Sequence, residues 1–161
     1  QSSETEVGSY TMSMSNDNVA TIDITPTSSQ QVFEGSNDIT LTNTCPSGAT
    51  ITMSTVSSVD NSLERIGSDN KTKTINATST SNGDLDNNTW GYSINDGSSY
   101  SPVPLRNTEP ATIYDESRAR TSSYNIPITF AVNVSLYIKV NTTITTKNKN
   151  DAKFNIIKYH C

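Results

Sequence analysis

Histidine, cysteine, tryptophan and long apolar runs are all scarce in this 161-residue sequence, and each scarcity removes a class of function. His160 is the sole histidine, so there is no second imidazole for a catalytic relay or a zinc site. Its neighbour Cys161 would be the only thiol partner at hand, and the two sit in a strand-like pattern, which argues against an enzyme. Lys and Arg number 11 against 16 Asp and Glu, giving a net charge of -5. Nucleic acid needs a basic face, and none is offered. Lys147, Lys149, Lys153 and Lys158 alternate with polar residues and Asp151, the pattern of a solvated surface. No apolar run approaches the roughly 18 to 20 residues of a spanning helix, so the mature chain is not expected to enter a membrane. A chain that starts on Gln1 rather than Met is expected to be extracellular or cell-surface material whose signal peptide has been removed.

What is abundant is the hydroxyl and the amide. Ser, Thr and Asn make up roughly two-fifths of the chain, and these residues favour the solvent face of strands and the turns between them. Only 17% of residues are charged and 32% are apolar, so the polarity is that of an exported β-protein rather than of a disordered, highly charged tail. The length fits a single domain over residues 1–161. In an exported chain Cys45 and Cys161 are expected to form a disulfide. Within one chain it would contribute about 4 to 5 kcal/mol in the loop-entropy view. The same residues also allow a bond to another molecule.

Alternation of apolar and hydroxyl residues places strands at residues 9–15, 19–25, 39–42 and 49–56. The last two flank Cys45-Pro46-Ser47-Gly48 and read as a hairpin. Leu63 and Ile66 read as a helical turn or loop plug, and residues 71–77 as a short strand. A long turn-rich segment then leads into Trp90. Residues 100–104 are extended and Pro-containing, 111–114 form a short strand, and 115–120 a loop or single helical turn. One long central strand is predicted from Ile126 to Ile144, and a terminal one from Ala152 to Tyr159. The sum is an all-β protein, a single Ig-like or jelly-roll-like β-sandwich of about eight to ten strands with long polar loops.

Trp90 is the only tryptophan, and alternation places it on one strand face with Tyr92. Facing inward, the two anchor the core. Facing outward, with Tyr100, they would form a platform for stacking sugar rings, which makes Tyr100 a possible ligand-facing residue. Asp84, Asp86 and Asn88 carry oxygens at alternate positions like the opening of a calcium loop, but the later Gly and Glu of an EF-hand are missing. They are candidate Ca²⁺ ligands; no other cofactor is expected. Asp84, Asp86, Asp96, Glu109, Asp115 and Glu116 supply no identifiable pair for glycoside chemistry. Asn-x-Ser/Thr sequons begin at Asn70, Asn76, Asn87, Asn133 and Asn141.

The order of these landmarks carries a resemblance. Ile22-Asp23-Ile24-Thr25-Pro26 is followed by Ile39-Thr40-Leu41-Thr42-Asn43-Thr44 with its Cys-Pro-Ser-Gly turn, then Ile51-Thr52-Met53-Ser54-Thr55. Asn88-Thr89-Trp90-Gly91-Tyr92-Ser93, Tyr100-Ser101-Pro102-Val103-Pro104 and the strand over 128–134 complete the set. Over residues 10–135 the chain resembles a β-sandwich module of exported surface and appendage proteins of ultra-small Patescibacteria, including Saccharibacteria-like lineages. Its Lys- and Asn-rich end, residues 139–161, departs from that pattern. The resemblance implies a building block of a surface assembly. Copies of the chain itself are then the expected partners, in a pilus-like filament joined by strands from residues 1–15 or 153–161. The alternative is an adhesin module that binds carbohydrate or a host-cell surface.

Overall fold

The described residues are organised as β-strands. A computed structural model describes residues 10–14, 19–64, 74–135, 143–145 and 154–158, and within them there are thirteen strands and no helix. The first five are β1 (Tyr10–Met14), β2 (Val19–Thr21), β3 (Gln31–Ser36), β4 (Ile39–Asn43) and β5 (Ala49–Thr55). Next come β6 (Leu63–Glu64), β7 (Thr74–Ala77), β8 (Thr89–Ser93) and β9 (Ala111–Glu116). β10 (Arg120–Ile126), β11 (Thr129–Val134), β12 (Thr143–Thr145) and β13 (Phe154–Lys158) follow. They make a five-stranded sheet in the order β3-β11-β8-β7-β6, two three-stranded sheets, β1-β4-β10 and β13-β5-β9, and the pair β12-β2. Among the described pairings only β7 with β8 is parallel. No described helix is long and apolar enough to cross a membrane.

β11 is the centre of the five-stranded sheet. Its Val132 lies opposite Phe33 of β3 on one side and Trp90 of β8 on the other. All six of its residues are buried, as expected of a strand covered on both faces. Phe130, Val132 and Val134 join a hydrophobic cluster with Trp90 and Tyr92. That cluster also takes in Ile39 and Leu41 of β4, Ile51 and Met53 of β5 and Ile113 of β9, so it links the five-stranded sheet to both three-stranded ones. On the other face of β11, Ala131 packs with Leu85 and Tyr100 in a small second cluster. The turn-rich segment before Trp90 therefore folds over the sheet as a roof.

Four sequence expectations change, the simplest at Leu63, which lies in β6 opposite Ile75 and not in a helical turn or loop plug, while Ile66 is outside the described residues. The segments around Cys-Pro-Ser-Gly are strands, but not a hairpin: β4 lies between β1 and β10, and β5 between β13 and β9, leaving neither a side for the other. The turn is a corner at which the chain passes from one three-stranded sheet to the next. The β9–β10 chain follows it antiparallel, with Asn43 opposite Arg120 and Ala49 opposite Glu116. Gly48 makes the corner possible, because its φ is 90° and a Cβ there would lie 1.8 Å from the Glu116 carbonyl oxygen. Pro and Gly serve a corner as well as a hairpin, and only the partners of the flanking strands decide.

The long strand expected over 126–144 is divided. Ile126 ends β10, opposite Ile39, and β11 begins at Thr129 in another sheet. Pro127 between them lacks the N–H a continuous ladder would need. Alternation persists across the break because both strands face the same core, with Ile126, Ile128 and Phe130 all buried. Residues 136–142 lie outside the described residues. Finally, Asp115 and Glu116 belong to β9 and Arg120 to β10, where a loop or helical turn was expected. Pairing with β5 overrides their helix-compatible composition, and Thr50 Oγ1 donates to Asp115 Oδ1 at 2.7 Å.

Candidate functional site

Trp90 is 1% exposed and its indole Nε1 donates to the Asn61 carbonyl at 2.9 Å. The carbonyl of Asn61 thus satisfies the one polar atom of a ring that otherwise fills the core. Tyr92 shares the inward face, and burial raises its hydroxyl pKa. The third member of the expected platform is placed elsewhere. Tyr100 is 8% exposed, with its ring against Leu85 and Ala131 and its hydroxyl donating to the Glu34 carboxylate. Burial, then the hydrogen bond and charge of Glu34, push that hydroxyl well above its ordinary value. Tyr100 is therefore a roof residue and not a ligand-facing one. The Asp96-Gly97 turn delivers it, with both residues in the left-handed region at φ 56° and 76° and Ser98 N donating to the Asn95 carbonyl. Backbone bridges from Tyr100 to Gly83 and from Ser101 to Tyr92 then fasten the two halves of the roof.

The expected cation ligands are arranged for a different task. Asp86 accepts from Thr78 Oγ1 at 2.9 Å, Ser79 N at 3.1 Å, Ser79 Oγ at 3.0 Å and Thr80 Oγ1 at 2.9 Å. Thr78 first, then Thr80 and Ser79, hold its pKa down to about 2. Asp84 points to an exposed surface, while Asn88, at φ 60°, takes a hydrogen bond from Gln30 Nε2 at 3.0 Å. Hydroxyls and an amide N–H engage both Asp86 oxygens, the atoms a hard cation would need from this residue. Among the described residues no three His, Cys, Asp or Glu side chains are grouped to hold a metal ion. Asp86 is the clasp that ties residues 78–80 to the rest of the roof segment.

Cys45 is fully buried and disulfide-bonded, and its amide N–H donates to Asn43 Oδ1 at 2.9 Å. Cys161 lies outside the described residues. Of the sequons, Asn76 and Asn87 are exposed. Asn133 is buried and its Nδ2 donates to the Leu85 carbonyl at 2.8 Å, so the folded chain withholds it from modification. Asn70 and Asn141 lie outside the described residues.

Sequence reasoning passed over the tyrosine pair at the β9–β10 corner. The rings of Tyr114 and Tyr124 stack with centroids 4.9 Å apart, and Tyr124 is 37% exposed. A shallow open depression of ≈ 570 Å³ lies beside them, lined by Tyr114, Asp115, Glu116 and Arg118 among others. Glu116 accepts from the buried Asn43 amide at 2.9 Å and from the Tyr114 hydroxyl at 2.8 Å, so both its oxygens are engaged. The two tyrosines are ten positions apart in the sequence, and no local pattern announces the contact.

The remaining surface of note is formed by strand edges. Among the described residues β1 pairs with β4 alone, and β13 with β5 alone, each at the outer position of its sheet. No protein-family model, curated protein or solved structure matches this chain.

Proposed function

We propose that this chain is a structural subunit of an extracellular filament or cell-surface assembly, built as a β-sandwich and joined to its copies by β-strand complementation. The two layers of the sandwich would be the five-stranded sheet and the pair of three-stranded sheets, and the hydrophobic cluster they share supports that arrangement. The observation that carries the reading is the placement of β1 and β13. Each is the outermost strand of a sheet whose next strand is lined with buried residues, Ile39 and Leu41 in β4 and Ile51 and Met53 in β5. An outer strand added by the same chain can be added equally well by another, since main-chain hydrogen bonds provide the affinity and alternate side chains the selectivity. The hydroxyl-rich composition and the order of landmarks resembling a surface module add to it. Negative-stain electron microscopy of the purified protein at physiological salt tests the reading. Long regular filaments are expected; a monodisperse monomer at every concentration overturns it.

A second reading, a carbohydrate-binding adhesin module, rests on the exposed Tyr124 ring, stacked on the Tyr114 that lines the open depression with Asp115 and Glu116. Its platform would lie at that corner and not at Trp90. Glycan-array binding that Tyr124→Ala abolishes would favour it, and an array without signal would remove it.

A further inference from the structure

Resting on the strand-complementation reading, we infer that β1 is the exchanged strand and the β4 edge its acceptor, so that Tyr10–Met14 of one copy completes the β1-β4-β10 sheet of the next. Three observations lead there.

The first is register. β4 alternates buried Ile39, Leu41 and Asn43 with half-buried Thr40 and Thr42. β1 runs antiparallel to it with Met14 opposite Ile39, Met12 opposite Leu41 and Tyr10 opposite Asn43. Ser13 and Thr11 fall opposite Thr40 and Thr42. The large residues of β1 thus hold the register positions of buried ones and the hydroxyl residues those of half-buried ones. A slip of one residue would reverse every match, so the edge selects this five-residue sequence in this register. A second copy presents the identical segment.

The second is where the chain is anchored. Immediately after β1 come residues 15–18, Ser-Asn-Asp-Asn, all short and polar. β2 then pairs with β12, and Ala20 and Ile22 are buried in the main core. Ala20 and Ile22 therefore hold the chain in the core independently of the pairing of β1 with β4.

The third separates β1 from β13. Both are outer strands, but Cys45 is disulfide-bonded and this sequence offers it one other cysteine, Cys161, three residues past the end of β13. A bond between them within a chain would hold β13 beside β5. β1 has no cysteine in or beside it.

A short tether keeps a subunit's own β1 at an effective concentration of about millimolar, so exchange competes with self-closure and assembly should be steeply concentration-dependent. Single Ser13→Cys and Thr40→Cys variants, mixed and assembled under mild oxidation, test the assignment. Opposed residues of an antiparallel pair lie about 4.5–5.5 Å apart at Cα, within disulfide reach. The expected product is a heterodimer carrying a 13–40 bridge, identified by peptide mass spectrometry. The double variant, oxidised as a monomer, is expected to lose assembly and to regain it on mild reduction of that bridge. Filaments from the mixture without any 13–40 bridge between chains overturn the β1 assignment and leave complementation through another strand standing. Such bridges in closed dimers without filaments support β1 exchange while removing the filament reading. Neither bridges nor filaments overturns both.

Discussion

The five-stranded sheet and the β1-β4-β10 sheet solve the same problem, covering apolar strands, by different means. β8 and β11 have neighbours on both sides and are covered on both faces, one by the common core and the other by a roof made of their own flanking loops. That region is closed by contacts within the chain: the Asp86 clasp, the Tyr100 bond to Glu34, and the Asn133 amide on the Leu85 carbonyl. β4 is closed on one side by β10 and on the other only by the five-residue strand β1. One half of the molecule is complete through its loops, and the other is completed by a strand near one end of the chain. The contrast separates scaffold from candidate interface.

The largest effect should come from the scaffold. Trp90→Ala removes the largest fully buried side chain and is expected to destabilise by about 3–5 kcal/mol. In a chain of this size that lowers the melting temperature by on the order of 10 °C, measurable by differential scanning calorimetry. Removal of residues 1–14 should do less: Trp90 sits in β8 between β7 and β11 with its indole fixed on the Asn61 carbonyl, so its near-ultraviolet circular dichroism is expected to persist while assembly is lost. Loss of the Trp90 signal in the truncated chain would erase the distinction between the two halves.

Gly48→Ala probes the corner that joins the two three-stranded sheets. The new methyl meets the Glu116 carbonyl and the backbone stays at a φ of 90°, so a loss of about 1–3 kcal/mol is expected in chemical denaturation. This corner also shows what a sequence conveals and what it reveals. Trp90 and Tyr92 were legible because rarity and a period of two are local properties. So were the strands of β4 and β5. Their separation into different sheets was not, because hairpin and corner use the same Pro and Gly and differ only in distant partners. The roof was illegible for a related reason: residues 79–88 look like a solvent loop, and the burial of Leu85, Tyr100 and Asn133 follows from where that loop lands. Asp84, Asp86 and Asn88 were singled out by oxygen spacing, yet the hydroxyls of Thr78, Ser79 and Thr80, which fill the Asp86 oxygens, stand before them in the chain.

Smaller effects test the roof by itself. Tyr100→Phe keeps the ring in its cluster and deletes the bond to Glu34, at a cost of about 1 kcal/mol. The Tyr100 hydroxyl has a raised pKa in the fold, so its contribution is fully present below the unfolded value near 10 and disappears as pH rises above it. Wild type should therefore lose more stability than Tyr100→Phe between about pH 10 and 12. Equal losses would mean that the buried hydroxyl is not coupled to the fold.

The smallest and most local effect belongs to Asp86. Its folded pKa, about 2, lies below the ordinary carboxylate value, so the stability it lends is fully present above about pH 4 and is lost as pH falls toward 2. The hydrogen bonds to Thr78, Ser79 and Thr80 all end on this one carboxylate, and protonation weakens them together. Amide hydrogen exchange should show protection at Ser79 and its neighbours declining between pH 4 and 2 after correction for intrinsic rates, while the amides of β11 remain protected. Asp86→Asn should produce the same local loss at neutral pH and abolish its acid dependence. If β1 amides lost protection in step with Ser79, roof and edge would form one cooperative unit, and the division between scaffold and interface would fall.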